Sequence, residues 1–268
     1  MRFIPLENIR EGMVLGKKIY GNNGQLLLNY GAKLHEIYIS KINELGYKGV
    51  YIEDDISKEI KIDDVIDESL KYEAISTVRR LSKKIEHGSY MNKNDYGNIS
   101  TIVGEMLDQI LVDRNVLINM IDLKTFDDYT FSHSVNTGVI SMSIGAYMNM
   151  NRLTLNKLGI AAFLHDLGKL YIPKELLNKP GKLTLHEMEI MKTHAREGYL
   201  HLTNKIQISD DIRTAVLDHH ERPDGTGYPL GKKSSEISRM GSIISIADVY
   251  DALTSDRPYR SVKSPSEA

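Results

Sequence analysis

The residues most able to do chemistry in this sequence are histidines and aspartates of its second half. HHERPDGTGYPLG, residues 219–231, places His219 and His220 directly ahead of a run of glycine and proline. FLHDLGKL places His165 and Asp166 side by side in an otherwise apolar segment. Three further candidates stand in other segments: His133, His194 and Asp248. Imidazole and carboxylate groups without sulfur suit iron, manganese, zinc or nickel, so these residues predict a metal centre.

The apolar surroundings of the His165–Asp166 pair strengthen that prediction. Burying both side chains without partners costs several kcal/mol, and a shared metal ion removes this cost. Neighbouring residues on a helix point about 100° apart, so one could bind a single metal while the other bridges two. A lone histidine is more often a packing residue, and Asp248 alone could be a surface acid. These simpler explanations would have to hold at five separate segments at once.

The remaining histidines lack such neighbours and are assigned to packing or to the surface. The strongest rival among them is His201, which follows His194 on almost the same helix face. The full set is His35, His87, His186 and His201.

Composition restricts the other chemistry that the chain can do. With 41% hydrophobic and 26% charged residues in 268, it has the composition of an ordinary globular protein. A net charge of −2 gives no global field for a nucleic acid polymer or a membrane, so a polyanionic ligand requires a local cationic cluster. The absence of cysteine excludes disulfides and cysteine nucleophiles. With no secretory signal and no apolar run near ~20 residues, we expect a cytoplasmic protein.

The elements that must position the candidate ligands are helices. Apolar residues recur with helical spacing over 131–149, 154–168, 184–203, 209–220 and 239–253. The charge-rich residues 56–90 and the stretch 98–124 are also predicted to be helical, with a break at HGSYMNKNDYGN. We interpret these two stretches either as core-facing helices or as a connector that carries a signal or dimerises.

The chain is predicted to divide into three parts. Residues 1–55 form a small α+β or β-rich domain, with a hairpin around Gly21–Gly24, a helix ended by Gly46 and a closing strand GVYIEDD. Residues 56–125 form the helical connector, and 126–268 form the helical domain. Ser264–Glu267 carries the signature of a helix start, so we expect this domain to be truncated at its C-terminus.

Four sequence segments together resemble the HD-GYP domain, a group within the HD phosphohydrolase superfamily. They are HD at 165–166, Lys169, HHERPDGTGYP at 219–229 and IADVYDALTSDRPYR at 246–260, and the resemblance spans about 126–266. It implies a mainly α fold, an HD-type helical bundle, here preceded by the small α+β or β-rich N-terminal domain. Residues 1–55 also resemble a small domain often found ahead of HD-GYP domains.

The resemblance implies roles for individual residues. The metal ligands would be His133, His165, Asp166, His194, His219, His220 and Asp248. Asp166 would be the bridging carboxylate and a catalytic residue, together with Lys169, which would contact the scissile phosphate. Substrate contacts would come from Lys169, Tyr228, Arg257 and Arg260, and the loop would be shaped by Gly225, Gly227 and Pro229.

The expected cofactor is a pair of divalent ions, iron or manganese. Some HD-GYP domains carry a glutamate for a third metal where this chain has Tyr129, so we expect two ions, with Asp127 and Asp128 near enough to support them. Two ions ~3.5–4 Å apart can activate water and bind the attacking and leaving oxygens of an in-line displacement.

The resemblance also implies the function, because HD-GYP proteins are typically metal-dependent phosphodiesterases for the bacterial second messenger cyclic di-GMP. We therefore expect hydrolysis of cyclic di-GMP to a linear dinucleotide and/or GMP. Two alternatives stay open: an HD phosphohydrolase of another cyclic nucleotide, and a non-catalytic cyclic-dinucleotide receptor or interaction module. Expected partners are cyclic di-GMP, GGDEF-type diguanylate cyclases and a second copy of the chain through the helical connector.

Overall fold

The N-terminal region folds as short strands around one helix. The computed structural model describes residues 1–21, 25–47, 49–57, 66–112, 129–205 and 208–254, leaving aside the side chains of 129, 130 and 205. The elements of this region are β1 (Arg2–Pro5), β2 (Val14–Leu15), β3 (Ile19–Tyr20), β4 (Leu26–Leu28), α1 (Glu36–Glu44) and β5 (Gly49–Glu53). β5 lies between β1 and β2 in an antiparallel sheet, and β3 pairs with β4.

This arrangement confirms the predicted small α+β region. The predicted hairpin is the β3–β4 pair, closed by a hydrogen bond from the Gly21 amide to the Gln25 carbonyl at 2.8 Å, while residues 22–24 lie outside the described part. Gly46 ends the helix with a φ of 81°, a conformation that favours glycine. Leu15, Leu34 and neighbouring apolar side chains form a core of their own under the sheet.

The rest of the described chain is helical, which confirms the predicted mainly α fold. The helices are α2 (Glu68–Glu86), α3 (Lys93–Val112), α4 (Tyr129–Tyr147), α5 (Arg152–Leu164), α6 (Lys174–Leu177), α7 (Leu185–Lys205), α8 (Asp210–Asp218) and α9 (Arg239–Thr254). Short 3₁₀ turns cover Leu167–Tyr171 and Ser234–Glu236. Within the described ranges, none of the helices has both the length and the apolar character that a membrane span requires.

The break between α2 and α3 is shorter than predicted, because α3 begins at Lys93 rather than at 98. The Asn92 side chain accepts a hydrogen bond from the Asp95 amide at 3.0 Å, and the Asp95 carboxylate accepts one from the Asn92 amide at 2.8 Å. This reciprocal cap satisfies amides at the helix start, so the helix begins before Gly97 and continues through it. The predicted end of this helix at 124 lies outside the described residues.

A second core joins α2 and α3 to the helices that carry the candidate ligands. It contains Leu81 of α2, Met106 of α3, Met142 of α4, Leu158 of α5 and Ile244 of α9. The described parts of the two stretches ahead of the helical domain are therefore core-facing helices. Tyr20 of the N-terminal region packs on Tyr72 of α2, with ring centroids 4.1 Å apart. The domain boundaries at 55 and 125 stay predictions.

Candidate metal centre

The seven predicted ligands, which are scattered over the sequence, come together inside the helical bundle. They lie on α4 (His133), at the end of α5 (His165 and Asp166), on α7 (His194), at the end of α8 (His219 and His220) and on α9 (Asp248). They form two groups, Asp166, His194, His219, His220 and His133, His165, Asp248, and the candidate ligand atoms of each group lie within 4.8 Å of one another. The helices thus place two potential metal-binding sets side by side.

The Asp166 carboxylate joins the two groups. Its Oδ1 lies 3.5 Å from Nε2 of His194 in the first group. Its Oδ2 lies 3.3 Å from Nε2 of His165 and 3.8 Å from Nε2 of His133, both in the second group. A carboxylate with one oxygen toward each set has the geometry of a bridging ligand, which is the role that the resemblance implied. The ligand roles themselves stay predictions.

Three of the imidazole rings are fixed in the orientation that metal binding needs. Nδ1 of His165, His194 and His219 lies 2.6–2.7 Å from the backbone carbonyl three residues earlier in its helix. A carbonyl can only accept, so each Nδ1 carries the proton and each Nε2 of the neutral ring keeps its lone pair. A partner on the other ring nitrogen is the usual way in which proteins orient a metal-binding histidine.

The buried polar atoms of this pocket that lack a suitable hydrogen-bond partner are ones that a divalent cation could bind. Nε2 of His165 and Oδ1 of Asp166 are buried with no hydrogen-bond partner among the described residues. Nε2 of His194 and Nε2 of His219 face each other at 3.3 Å, and in the neutral rings both atoms carry lone pairs. Each unsatisfied buried group costs about 1–3 kcal/mol. Bound cations would satisfy all four atoms, so the donor set fits the metal centre predicted from the sequence.

Electrostatics keep most of the donors in their metal-binding form. Burial lowers the pKa of His194 and His219, and burial, with a further contribution from the neighbouring His194, lowers the pKa of His220 to about 3. Burial acts to raise the pKa of Asp166, but its interactions with His165 and with the Lys169 ammonium outweigh burial and hold that pKa well below its ordinary value. Neutral imidazoles and an ionised carboxylate are the species that bind divalent metals.

His133 differs because carboxylates surround it. Burial acts to lower its pKa, but hydrogen bonds to Asp248 and Asp251 raise it to about 9. Nε2 of His133 lies 3.1 Å from Asp248 and Nδ1 lies 2.7 Å from Asp251. A metal ion held by this group would take the place of the Nε2 proton, so metal binding there would release a proton near neutral pH.

Asp251 is a functional candidate that the sequence reasoning missed. It is buried, and its carboxylate contacts Nδ1 of His133 at 2.7 Å and accepts a hydrogen bond from the side-chain Nδ2 of Asn136 at 3.0 Å. The available signal was its spacing, since Asp248 and Asp251 lie three residues apart and share one face of α9. Asp251 therefore orients the His133 ring through Nδ1, the nitrogen opposite the one that faces the metal group.

Replacing Asp251 with asparagine is expected to weaken metal binding to the His133 group by about 10- to 100-fold, the usual cost of losing such an orienting partner. Titration of the metal-free protein against a competing chelator measures this affinity. The exposed Asp211, which pairs with Lys157 on the surface, provides the control. Asp211→Asn is expected to leave the affinity unchanged, and an unchanged affinity in Asp251→Asn would contradict the orienting role.

The turn after Asp166 is pressed against α7. A Cβ atom on Gly168 would lie 1.8 Å from the carbonyl oxygen of His194 and 2.6 Å from the Gly198 nitrogen, so only glycine fits. The turn holds the Lys169 ammonium 2.5 Å from Oδ2 of Asp166, with about a third of the lysine side chain exposed. A cation is thereby presented at the edge of the centre. The sequence reasoning did not assign Gly168 a role.

The GYP loop closes over His220. The Tyr228 ring packs on the His220 ring with centroids 4.7 Å apart, and the Tyr228 amide donates to the His220 carbonyl at 3.1 Å. A Cβ on Gly227 would lie 2.3 Å from the Arg222 nitrogen, and Gly225 has a φ of 81°, so both positions favour glycine. The peptide bond between Tyr228 and Pro229 is cis.

Glu221 anchors this loop, a role that sequence reasoning left unresolved. Its buried carboxylate accepts hydrogen bonds from the Leu230 amide at 2.6 Å and the Lys232 amide at 2.8 Å. The loop is therefore tied back to the residue that follows the histidine pair.

Other predicted site residues lie outside the described part of the chain. They are Arg257 and Arg260, together with the suggested supporting residues Asp127 and Asp128, and the side chain of Tyr129 is likewise not described. Their predicted contacts, and the expectation of two rather than three ions, stay predictions.

A helical bundle with an internal His/Asp centre defines an HD-type metal-binding domain. The family model described as HD domain matches residues 106–268. The chain belongs to this family, within its HD-GYP group. Among solved structures, an HDG"Y"P protein from Bdellovibrio bacteriovorus, Bd1817, has the same fold, with a TM-score of 0.62 and 18% identity over 94% of this chain and 87% of that one.

Three similar proteins are named as phosphodiesterases of cyclic dinucleotides. A cyclic di-GMP phosphodiesterase of Pseudomonas aeruginosa is 37% identical over 65% of this chain and 42% of its own length. One from Thermotoga maritima is 38% identical over 61% of this chain and 44% of its own. The 3'3'-cGAMP-specific phosphodiesterase 1 of Vibrio cholerae is 34% identical over 60% and 37%. The matches span less than half the length of these relatives, so activity and substrate are inferred separately.

Proposed function

We propose that this chain is a metal-dependent phosphodiesterase that hydrolyses cyclic di-GMP to a linear dinucleotide and/or GMP. One observation carries the proposal: the Asp166 carboxylate lies between two largely buried His/Asp groups, with one oxygen toward each, and the Lys169 ammonium stands beside it. The relatives named above support the substrate class, since each is named as a phosphodiesterase of a cyclic dinucleotide.

Each part of the site has a task in such a hydrolysis. Two divalent ions bound by the seven donors, for which we propose iron or manganese, would supply Lewis acidity and acidify a water molecule. Lys169 offers a point charge to a non-bridging phosphate oxygen. Tyr228 forms a wall above His220 that limits where the substrate can lie. A local cation explains how a chain of net charge −2 binds a dianion.

A second substrate is favoured by a specific observation. Two of the similar proteins are named 3'3'-cGAMP-specific phosphodiesterases, at 34% and 39% identity, values similar to those of the cyclic di-GMP enzymes. The two substrates differ only in one purine base, whereas the centre described above addresses the phosphodiester. The non-catalytic receptor is disfavoured because a receptor has no need for the complete donor set.

The test is a direct comparison of both cyclic dinucleotides. The protein is prepared anaerobically with iron or manganese, its bound metal is measured, and each substrate is followed by chromatography. The control is the double variant His165→Ala/Asp166→Ala. We expect cyclic di-GMP to be consumed faster than 3'3'-cGAMP, and the double variant to be inactive.

Each other outcome overturns a stated part of the proposal. Faster turnover of 3'3'-cGAMP would show that 3'3'-cGAMP, rather than cyclic di-GMP, is the preferred substrate. Binding without turnover, despite two metal ions per chain, favours the receptor. Equal turnover by the double variant contradicts the site. A diguanylate cyclase partner and a homodimer are further proposals, which co-purification and light scattering would test.

A further inference from the structure

Helix α7 carries a second buried histidine, His201, which lies seven residues after His194 and outside the metal centre. Its exposed fraction is 4%, and both of its ring nitrogens have partners. Nδ1 lies 2.5 Å from the Tyr171 hydroxyl, at the end of the Leu167–Tyr171 turn. Nε2 lies 3.4 Å from the backbone nitrogen of Met91, in the connection between α2 and α3.

These contacts determine which nitrogen of His201 carries the proton. Burial lowers the pKa of His201, so the ring is neutral at ordinary pH and has one donor and one acceptor. The Met91 amide can only donate, and Nε2 must therefore accept. Nδ1 then carries the proton and donates to the Tyr171 hydroxyl oxygen. One ring thus joins two segments by hydrogen bonds of opposite direction.

The Leu167–Tyr171 turn is held on α7 at both ends. Near its start, Gly168 touches the backbone of α7 at His194 and Gly198, with no room for a side chain. At its end, Tyr171 is bonded to His201, which is also on α7. Lys169 lies between these two attachments, so they fix where its ammonium stands relative to the centre.

The same histidine connects the turn to the helices that precede the centre in the chain. Met91 is buried in the core shared by α2 and α3, and the Tyr90 ring lies 5.6 Å from the His201 ring. A second link joins the end of α2 to the segment after the turn, with Nζ of Lys174 3.5 Å from Glu86. A displacement of the α2–α3 connection would therefore be transmitted to the turn through the two hydrogen bonds of His201.

We propose that His201 is a positioning residue, which holds the Lys169-bearing turn on α7 and couples it to the α2–α3 connection. The proposal rests on the proposed function for its effect on catalysis, because Lys169 is the group that is positioned. The coupling itself is a property of the fold and can be measured without any substrate.

Two amide substitutions separate the two hydrogen bonds of His201. In His201→Asn the side-chain amide takes the place of Nδ1 and can still donate to Tyr171. In His201→Gln the amide reaches the place of Nε2 and can accept from Met91, but it leaves the Tyr171 hydroxyl without its donor. Tyr171→Phe removes the same bond from the other side. His186→Gln, at an exposed position of α7, is the matched control.

Hydrogen exchange followed by mass spectrometry gives the readout that is independent of activity. We expect faster exchange in peptides covering 167–171 for His201→Gln and Tyr171→Phe. For His201→Asn we expect faster exchange only around 87–92, and for His186→Gln no change. The bound metal is expected to stay constant in all four variants, because the donors of the two metal groups are untouched.

Kinetics show whether the coupling acts through Lys169. We expect kcat to fall about tenfold in His201→Gln and Tyr171→Phe, the effect of one hydrogen bond, with His201→Asn close to the unmodified protein. KM is expected to change less than kcat. In a Lys169→Met background, His201→Gln is expected to have no further effect on kcat, whereas a general packing defect would lower it again.

Three results would overturn the inference. They are unchanged exchange at 167–171 in both His201→Gln and Tyr171→Phe, equal damage from His201→Asn and His201→Gln, and additive effects of Lys169→Met and His201→Gln. If the unmodified protein turns over neither dinucleotide, the proposed function fails, and the exchange pattern still decides the coupling.

Discussion

Asp166→Asn is expected to reduce bound metal from the proposed two ions per chain to near zero and to lower kcat about 10³-fold or more. The asparagine keeps the shape of the side chain but removes the charge that faces Nε2 of His165, His194 and His133. A metal centre supplies several kcal/mol of transition-state stabilisation, and ~1.36 kcal/mol corresponds to tenfold in rate. Elemental analysis of the purified variant and the chromatographic assay measure the two effects.

Asp248→Asn is the matched control, because Asp248 is grouped with His133 and His165, with its carboxylate 3.1 Å from Nε2 of His133 and 3.9 Å from Nδ1 of His220 in the first group. We expect this variant to lose one ion and to keep the one bound by Asp166, His194, His219 and His220. Loss of one ion in both variants would show that Asp166 serves a single group and that the carboxylate does not bridge. Circular dichroism of both proteins establishes that the helices are retained.

Gly168→Ala has the largest expected effect on stability. The new Cβ would lie 1.8 Å from a backbone oxygen and 2.6 Å from a backbone nitrogen of α7, and neither atom belongs to a flexible side chain. The turn and α7 must separate, and such overpacking typically costs about 1–3 kcal/mol, with the upper end expected here because both contacts are to backbone atoms. We expect the free energy of unfolding in urea to fall by this amount. Bound metal is also expected to fall, because Asp166 and His194 move apart.

Gly97→Ala provides the comparison for this substitution. Gly97 lies within α3, and a Cβ atom there meets nothing within 4 Å. Alanine is a better helix former than glycine by about 0.5–1 kcal/mol, so this variant is expected to gain stability. If Gly168→Ala were as stable as the unmodified protein, the close approach of the turn to α7 would be wrong.

The donor set could be predicted from the sequence because its chemistry is local. His165 and Asp166 stand out since a polar pair is costly in an apolar segment, and His219 and His220 stand out before a glycine-rich loop. The helices were predictable for a related reason, since the period of apolar residues reflects which face is buried. Helix ends were predicted less well: the helix predicted over 154–168 ends at Leu164, and α3 starts before 98 because the cap between Asn92 and Asp95 outweighs the helix-breaking tendency of Gly97.

Contacts between distant segments could not be predicted in this way. Asp251 becomes an orienting partner only because α9 packs beside α4. This packing brings Asp251 to His133, which is 118 residues away in the sequence. His201 looks like a ligand by its spacing from His194, yet its ring turns to Tyr171 and Met91. Position 168 tolerates only glycine because the backbone of α7 lies directly against it.

The sequence by itself determined the candidate metal donors, the helical class of the fold and the small N-terminal region, because residue type and apolar period are properties of short segments. Only the tertiary structure decided that one carboxylate lies between two donor groups and which side chains hold those donors in place. These depend on how helices pack, and packing sets distances between residues that the chain itself keeps far apart.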